Sequence, residues 1–417
     1  MRLPAPGRRR DLVLALLFVL VAAVFRLPRL GVPPEEFFDE VYHAKAALQY
    51  LQGEQPVEWV HPPTAKLLIA GGVYLFGYQP WAWRLAPALA GAVLAGVFFL
   101  LARRVLATER AAVLATTLLL CDGVYLVQSR IAMTNIFAVL FQLAAALFVL
   151  RSVFGEGQRP ALRDVLLAGL FIGLALSTRW TSLWATGFLG LVVLALRRGR
   201  AFRPAELASW AVVFLVLPAL IYTLSYVPWM LIKHPQAGTW ERFVDMLAEQ
   251  VRVWSYHAQL NATHPYFSHW TTWPWLYEPT WYYYNTDDGV RGVIALGNPA
   301  LWWASVLVTL AAVIAGLCER EWRWLFCGAG FYLLYLPWGL APRTLNFSHY
   351  LFEALPYACL SLGTVLDHYA DGPARPLVWG YVALAVGLFL FFYPVLVALP
   401  IPPSIGLGSF IWFRNWY

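Results

Sequence analysis

The sequence predicts an all-α polytopic membrane fold, and three observations carry that expectation. Of 417 residues, 60% are hydrophobic and 13% are Asp, Glu, Lys or Arg, about half the charged share of an ordinary soluble domain. Apolar runs long enough to cross a bilayer, about 20 residues each, recur from Leu12 to the C-terminal region. Basic residues fall in short clusters between those runs, the pattern by which cytoplasmic loops set orientation. The formal charge of +7 therefore reads as a topology signal, and no nucleic-acid partner is expected.

The first run, Leu12 to Phe25, has the hydrophobicity of a secretory signal. No small-residue cleavage site follows it and many equal runs come after, so it is read as the first span. The basic segments Arg8-Arg9-Arg10, Arg103-Arg104 to Arg110, Arg151 to Arg163, Arg197 to Arg203, Arg320 to Arg323 and Asp371 to Arg375 are placed on the cytoplasmic side. That placement decides one ambiguous segment. Lys66 to Gly77 is apolar but only about a dozen residues long, a length more typical of an interfacial or re-entrant element than of a crossing. If it crossed, every later Arg cluster would face the wrong side, so it is placed on the outer surface. Spans then fall near 11–28, 83–102, 110–127, 131–151, 162–178, 182–197, 207–231, 298–318, 322–340, 348–367 and 376–398. The count is about eleven crossings, with the N-terminus inside and the C-terminus outside.

Two outer loops are large under this topology: 29–82, which carries amphipathic or re-entrant helices, and 232–297, rich in Trp, Tyr, His and Pro. The second is expected to pack on the outer membrane face, where aromatic rings favour the interface. The chain divides into an N-terminal transmembrane module 1–232 holding the first outer loop, the aromatic loop 233–297, and a C-terminal four-helix module 298–417. Cys121, Cys318, Cys327 and Cys359 lie in or beside apolar segments without CxxC spacing and are read as packing residues.

The chemistry points to the first outer loop. Asp39-Glu40 is a paired acid, followed by the polar stretch Val60-His61-Pro62-Pro63-Thr64-Ala65-Lys66, and ionisable groups at a membrane are costly without partners or a task. Single arginines end the short outer hairpins at Arg130, Arg179 and Arg343, and Arg84 begins the second span. Singly, each can snorkel to head groups or pair with a local acid; as a set they make an electropositive pocket suited to a phosphate ester, which guanidinium groups grip bidentately. Carboxylates and arginines at one membrane face suggest group transfer from a lipid phosphate. The phosphate is already a competent leaving group, whereas a hydroxyl acceptor needs its proton removed, which is work for a positioned carboxylate. Asp39 is the candidate base and Glu40 its neighbour; the competing reading is that either merely caps a helix over Val41 to Leu51.

These residues resemble a known family. Phe38-Asp39-Glu40-Val41-Tyr42-His43 and His61-Pro62-Pro63-Thr64-Ala65-Lys66 are similar to the acid pair and His-Pro-Pro-x-x-Lys segment of the protein O-mannosyltransferases, enzymes of the GT-C class. The similarity continues in order through Arg84-Leu85 with Gly91, Asp122, Gln128-Ser129-Arg130, Ala262-Thr263-His264-Pro265-Tyr266, Trp273-Pro274-Trp275, Gly297-Asn298-Pro299, His349-Tyr350 and Leu355-Pro356. The resemblance implies a GT-C fold and transfer of mannose, with inversion, from a polyprenyl phosphate to Ser or Thr hydroxyls of exported proteins. It gives Asp39 the role of base with Glu40 beside it, and Arg130 that of donor-phosphate contact. We extend the phosphate role to Arg84, Arg179, Arg343 and Lys66. His61, Asp122, His264, Trp273, Trp275 and His349 are acceptor-side or loop-shaping candidates. The sequence departs from the family pattern at Asp122-Gly123, where Asp-Asn is common, at Met133-Thr134-Asn135, where an acid is common, and at Arg179, where Lys is frequent. The second outer loop has no room for the β-trefoil domain of the large eukaryotic enzymes, so the compact prokaryotic form in a cytoplasmic membrane, its site facing outward, is expected.

No cofactor is implied. His43, His61, His257, His264 and His269 all fall on the outer side, which leaves a divalent metal open although their spacing fits no standard ligand motif. Trp81, Trp83 and Trp281-Tyr282-Tyr283-Tyr284 are read as interface anchors. The expected partners are the polyprenyl-phosphate-mannose donor, an exported protein or peptide acceptor and membrane lipids, with a dimer open. Two other functions stay in play: a sister GT-C enzyme that glycosylates lipid A or an envelope glycan, and a transporter or flippase of lipid-linked sugars. A transporter places its polar residues near mid-membrane in related halves, a pattern this sequence does not show.

Overall fold

The computed structural model describes residues 8–154, 161–197, 203–287 and 289–417; parts of the basic segments expected at 151–163 and 197–203 lie outside the described residues. Helix α1 (Arg8–Arg26) leads into α2 (Glu40–Gln52) and α3 (Thr64–Phe76) of the first loop, then α4 (Pro80–Val105), α5 (Glu109–Leu120), α6 (Gly123–Gln128), α7 (Asn135–Val153), α8 (Leu162–Leu176) and α9 (Ser182–Leu196). One long bent helix follows, made of α10 (Pro204–Ala211), a π-turn at Val212–Val216, α11 (Leu217–Ser225) and α12 (Val227–Lys233). Next come α13 (Thr239–Gln259), a hairpin of β1 (Thr280–Asn285) and β2 (Arg291–Ala295), and four helices, α14 (Pro299–Glu319), α15 (Trp322–Tyr335), α16 (Leu355–Tyr369) and α17 (Arg375–Leu396).

Each segment expected to cross the bilayer is helical. Among the described residues, five helices are individually long and apolar enough to do so: Pro80–Val105, Asn135–Val153, Pro204–Lys233, Pro299–Glu319 and Arg375–Leu396. Of the others, α1 is as long as Asn135–Val153 but carries charges at both ends, and the rest are shorter or broken. The expected span 110–127, for example, is interrupted at Cys121-Asp122, where the Asp122 carboxylate accepts the Tyr125 N–H at 2.8 Å and restarts the chain as α6. Helix starts carry the residues that satisfy free backbone N–H groups: Thr108 for α5, Asn298 for α14 and Glu321 for α15. Leu12, Val13, Leu16, Leu17, Leu20 and Val24 of α1 present a continuous exposed apolar face. That face is stable only against lipid, which makes the chain an integral membrane protein.

Opposite bundle ends differ in kind. At one end, ion pairs tie helix termini together: Arg10 with Glu109, Arg103 with Asp11, Arg110 with Asp367 and Asp371, Arg151 with Asp164, and Arg197 with Glu206. At the other end lie α2, α3, the β-hairpin and the segment Arg343–Glu353. Segment 66–77 is helix α3, packed on α2 and α4, with Tyr74, Leu75 and Phe76 exposed.

The hairpin changes one expectation. Trp281 and Tyr282 are buried rather than interfacial, because strand alternation and a bulge between Trp281 and Tyr283 turn them into the core. Trp281 Nε1 donates to the Trp416 carbonyl at 2.7 Å. Trp83 is likewise buried, facing the first loop from α4, while Trp81 is partly exposed.

Candidate active site

Asp39 occupies the N-cap position of α2, yet its carboxylate makes no capping hydrogen bond, and it has no hydrogen-bond partner among the described residues. A capping Asp would accept from the second or third N–H of the helix; this one is left free. Phe38 sets the direction. Its φ of 51° is left-handed for a bulky residue, a conformation that costs on the order of 1–3 kcal/mol and persists only where packing over-determines it. That packing is the Tyr282 ring, stacked on Phe38 at 4.0 Å. The turn aims Asp39 into a half-buried recess that feels Arg179, Arg343 and Glu58. Burial pushes the Asp39 carboxyl up to about 6; Arg179 and Arg343 oppose the rise and Glu58 adds to it.

Glu40 is spent differently. Its two oxygens accept from Arg84 Nε at 2.8 Å and Nη2 at 2.7 Å, and Oε1 also accepts the Ala132 N–H at 2.9 Å. Arg84 in turn donates to the carbonyls of Leu30, Pro33 and Glu35. Both side chains are fully buried. The pair is a bidentate clamp between the first loop and α4, and every Arg84 nitrogen is taken.

Lys66 is equally committed. Its ammonium pairs with Glu58 and donates to the Glu58 carbonyl at 2.8 Å and the His61 carbonyl at 2.7 Å. His61 Nδ1 lies 2.8 Å from Glu58 Oε1, and His257, arriving from α13, contacts the Val60 carbonyl at 2.9 Å. Burial favours the neutral form of Glu58, but Lys66 and His61 outweigh it and hold that carboxyl well below its usual range. Burial pushes His43 down to about 3 and His257 to about 4, leaving both imidazoles neutral. Among the described residues no group of three or more His, Cys, Asp or Glu side chains is arranged to hold a metal ion.

Arg130 donates to the carbonyls of Phe25, Arg26, Pro28 and Arg29, fastening the end of α1. Two other arginines converge. Arg179 lies between α8 and α9; it hydrogen-bonds Asn135 and Thr134 and pairs with Glu353 at 3.6 Å, with its guanidinium carbon 5.4 Å from the Tyr350 ring centre. Arg343 stands 5.7 Å from the same ring centre and donates to the Leu345 carbonyl at 2.8 Å and the Tyr350 hydroxyl at 3.4 Å. Of the basic residues singled out in the sequence, these two are brought to Asp39, whereas Arg84, Arg130 and Lys66 are occupied in structural contacts.

The other candidates divide similarly. His349 is buried beside Tyr350 and Tyr282. His264 accepts the Tyr266 N–H and packs edge-on to Phe347 at the rim. Trp273 is fully buried beneath Tyr350 and Trp338, so it supports the site from below, whereas Trp275 is exposed. Asp122 is locked by the Asn298 N–H at 3.0 Å and Trp302 Nε1 at 2.7 Å and joins α6 to α14. Gly297 belongs to that junction, since a Cβ there would lie 2.1 Å from the Trp302 ring.

Glu58 and Glu353 are absent from the sequence-level candidates. Glu353 carried a readable signal, an acid within an otherwise apolar expected span. Glu58 carried none, because only folding reveals its enclosure by Lys66 and His61.

A membrane helical bundle with carboxylate and guanidinium groups gathered at one end is the architecture of the GT-C glycosyltransferases. The S. cerevisiae protein O-mannosyltransferase Pmt1-Pmt2 complex bound to the sugar donor matches with a TM-score of 0.85 at 15% identity, over 98% of this chain and 93% of that one. ArnT from Cupriavidus metallidurans bound to undecaprenyl phosphate matches with a TM-score of 0.58 at 17% identity, over 92% and 77%. At such identities the likeness establishes the fold alone. Residues 16–83 and 79–232 match the dolichyl-phosphate-mannose-protein mannosyltransferase family, and residues 240–416 match the C-terminal four TMM region of protein-O-mannosyltransferase. The chain belongs to the protein O-mannosyltransferase family and is a glycosyltransferase. A polyprenol-phosphate-mannose–protein mannosyltransferase of Mycobacterium tuberculosis is 29% identical over 98% of this chain and 92% of its own length.

Proposed function

We propose that this protein transfers mannose from a polyprenyl phosphate to Ser or Thr hydroxyls of exported proteins, at a site that opens outward from a prokaryotic cytoplasmic membrane. The observation that carries the mechanism is the unbonded Asp39 carboxylate in the field of Arg179 and Arg343. Asp39 takes the hydroxyl proton as the acceptor oxygen bonds to the mannose C1. The C1–O bond to phosphate breaks with inversion, and its electron pair leaves on the lipid phosphate. Protonated Asp39 then returns its proton to solvent. A carboxyl held near 6 is a stronger base than an ordinary carboxylate and is still ionised at neutral pH.

The leaving group gains a negative charge as the bond breaks, so fixed guanidinium groups bind the transition state better than the ground state. Arg179 and Arg343, the cations whose field reaches Asp39, are assigned this work. Arg84, Arg130 and Lys66 hold the first loop, which presents Asp39. Outward orientation is supported by the ion-paired, Arg-bearing end of the bundle, which fits the cytoplasmic side, with Asp39 at the opposite end.

The test is direct. Purified protein in liposomes, given radiolabelled polyprenyl phosphate mannose and a Ser/Thr-rich peptide, should label the peptide. If label instead reaches only a lipid or glycan acceptor, the protein-acceptor assignment fails.

A further inference from the structure

His349 is 1% exposed, and among the described residues neither of its ring nitrogens has a hydrogen-bond partner; Nδ1 is fully enclosed and orphaned. Leaving a buried polar group unmet costs about 1–3 kcal/mol, so such a group calls for an explanation, of which a bound ligand is one. Neighbours share the condition, among them the Ser348 hydroxyl, Gln128 and Asn135. Gln128 donates Nε2 to the Tyr282 hydroxyl at 2.5 Å but leaves Oε1 orphaned, and Asn135 bonds Arg179 through its oxygen while its Nδ2 is orphaned.

These residues are joined through one aromatic cluster. The His349 ring stacks on Phe347 at 5.5 Å and meets Tyr350 at 4.8 Å, Tyr282 at 5.5 Å and Phe38 at 6.0 Å, edge-on in each case. Tyr350 is the ring that Arg179 and Arg343 share. A ligand with a phosphate between those arginines would place the group attached to that phosphate beside this cluster. Apolar ring faces combined with unmet donors and acceptors suit a sugar, which offers C–H faces and several hydroxyls.

Deepening the mannosyl-transfer reading on which it rests, we propose that His349 is a specificity-determining residue that hydrogen-bonds a hydroxyl of the donor's mannose, with Gln128 and Asn135 completing the polar lining. A neutral imidazole both donates and accepts, as a sugar hydroxyl does.

The experiment compares wild type with His349→Phe on polyprenyl phosphate mannose and its 2-, 3-, 4- and 6-deoxy analogues. For wild type, one analogue should lose about 10- to 100-fold in kcat/KM. His349→Phe should lose a similar factor on the natural donor and nothing further on that analogue, while binding mannose-free polyprenyl phosphate as well as wild type does. An equal loss on every donor would mean a packing role and overturn the proposal, as would a loss confined to acceptor KM or to mannose-free phosphate binding. His349→Gln, which keeps a hydrogen-bonding group, should recover part of the discrimination and serves if the Phe variant does not fold. Absence of wild-type turnover of the natural donor would instead sink the underlying functional reading.

Discussion

The Arg179 guanidinium lies 3.6 Å from the Glu353 carboxylate, and that acid is itself gripped by Gln142 at 3.0 Å and Thr181 at 2.7 Å. Glu353 thus restrains from behind a cation whose front faces Asp39. A positioned cation avoids reorganisation when charge appears on the leaving phosphate, and the restraint comes from three elements: α7, the start of α9 and the segment before α16.

Removing that restraint should be visible in donor kinetics. Glu353→Ala is expected to lower kcat/KM for the lipid donor about 10- to 100-fold, roughly 1.4–2.7 kcal/mol of lost transition-state stabilisation, because the ion pair that holds Arg179 is gone. Acceptor-peptide KM should stay nearly constant. Glu353→Gln, which retains the Thr181 contact, should lose less. Equal damage to donor and acceptor kinetics would indicate a general packing defect.

Asp39→Asn removes the proposed base and leaves the shape. Turnover should fall by about 10² or more, and donor KM should change little because the proposed phosphate contacts lie on the arginines. Wild-type kcat/KM should decline with unit slope below pH about 6, where the Asp39 carboxyl takes up its proton. A flat profile down to pH 4.5 would remove Asp39 from the proton-transfer step.

The Glu58 charge raises the Asp39 pKa, which gives two shifts of opposite sign. Glu58→Gln removes a nearby anion and leaves the Lys66 cation less compensated, so Asp39 should ionise more easily and the acid limb move to lower pH. Lys66→Met leaves the Glu58 anion less compensated and should move the limb to higher pH. Acid-limb midpoints on folded, monodisperse protein check both; shifts of the same sign would rule out electrostatic coupling.

The Glu40–Arg84 clamp is a stability feature. Glu40→Ala leaves a guanidinium buried without its counter-ion and should destabilise the protein by about 3–5 kcal/mol, since breaking one side of a buried pair costs far more than replacing both. Thermal unfolding in detergent reads the loss. The double variant Glu40→Leu with Arg84→Met should recover much of it, and the single change should not selectively raise donor KM.

Membrane residence, the helical fold class and the family were legible in the chain itself, because a bilayer imposes lengths, apolarity and charge asymmetry that are written locally. The acid pair and the outer arginines were legible as a group for the same reason: ionisable residues stand out against lipid-facing sequence. Their division of labour was not. Asp39 and Glu40 are adjacent and both carboxylates, yet one accepts from Arg84, which also donates to three loop carbonyls, while the other is turned by the left-handed Phe38 into an unbonded recess. Likewise Arg130 faces the end of α1 and Arg179 faces Tyr350, although each simply ends a helical hairpin in the sequence. Which charges are neutralised and which stay available depends on contacts between segments far apart in the chain, such as residue 40 with residue 84 and residue 179 with residue 353, and only the packed bundle decides those contacts.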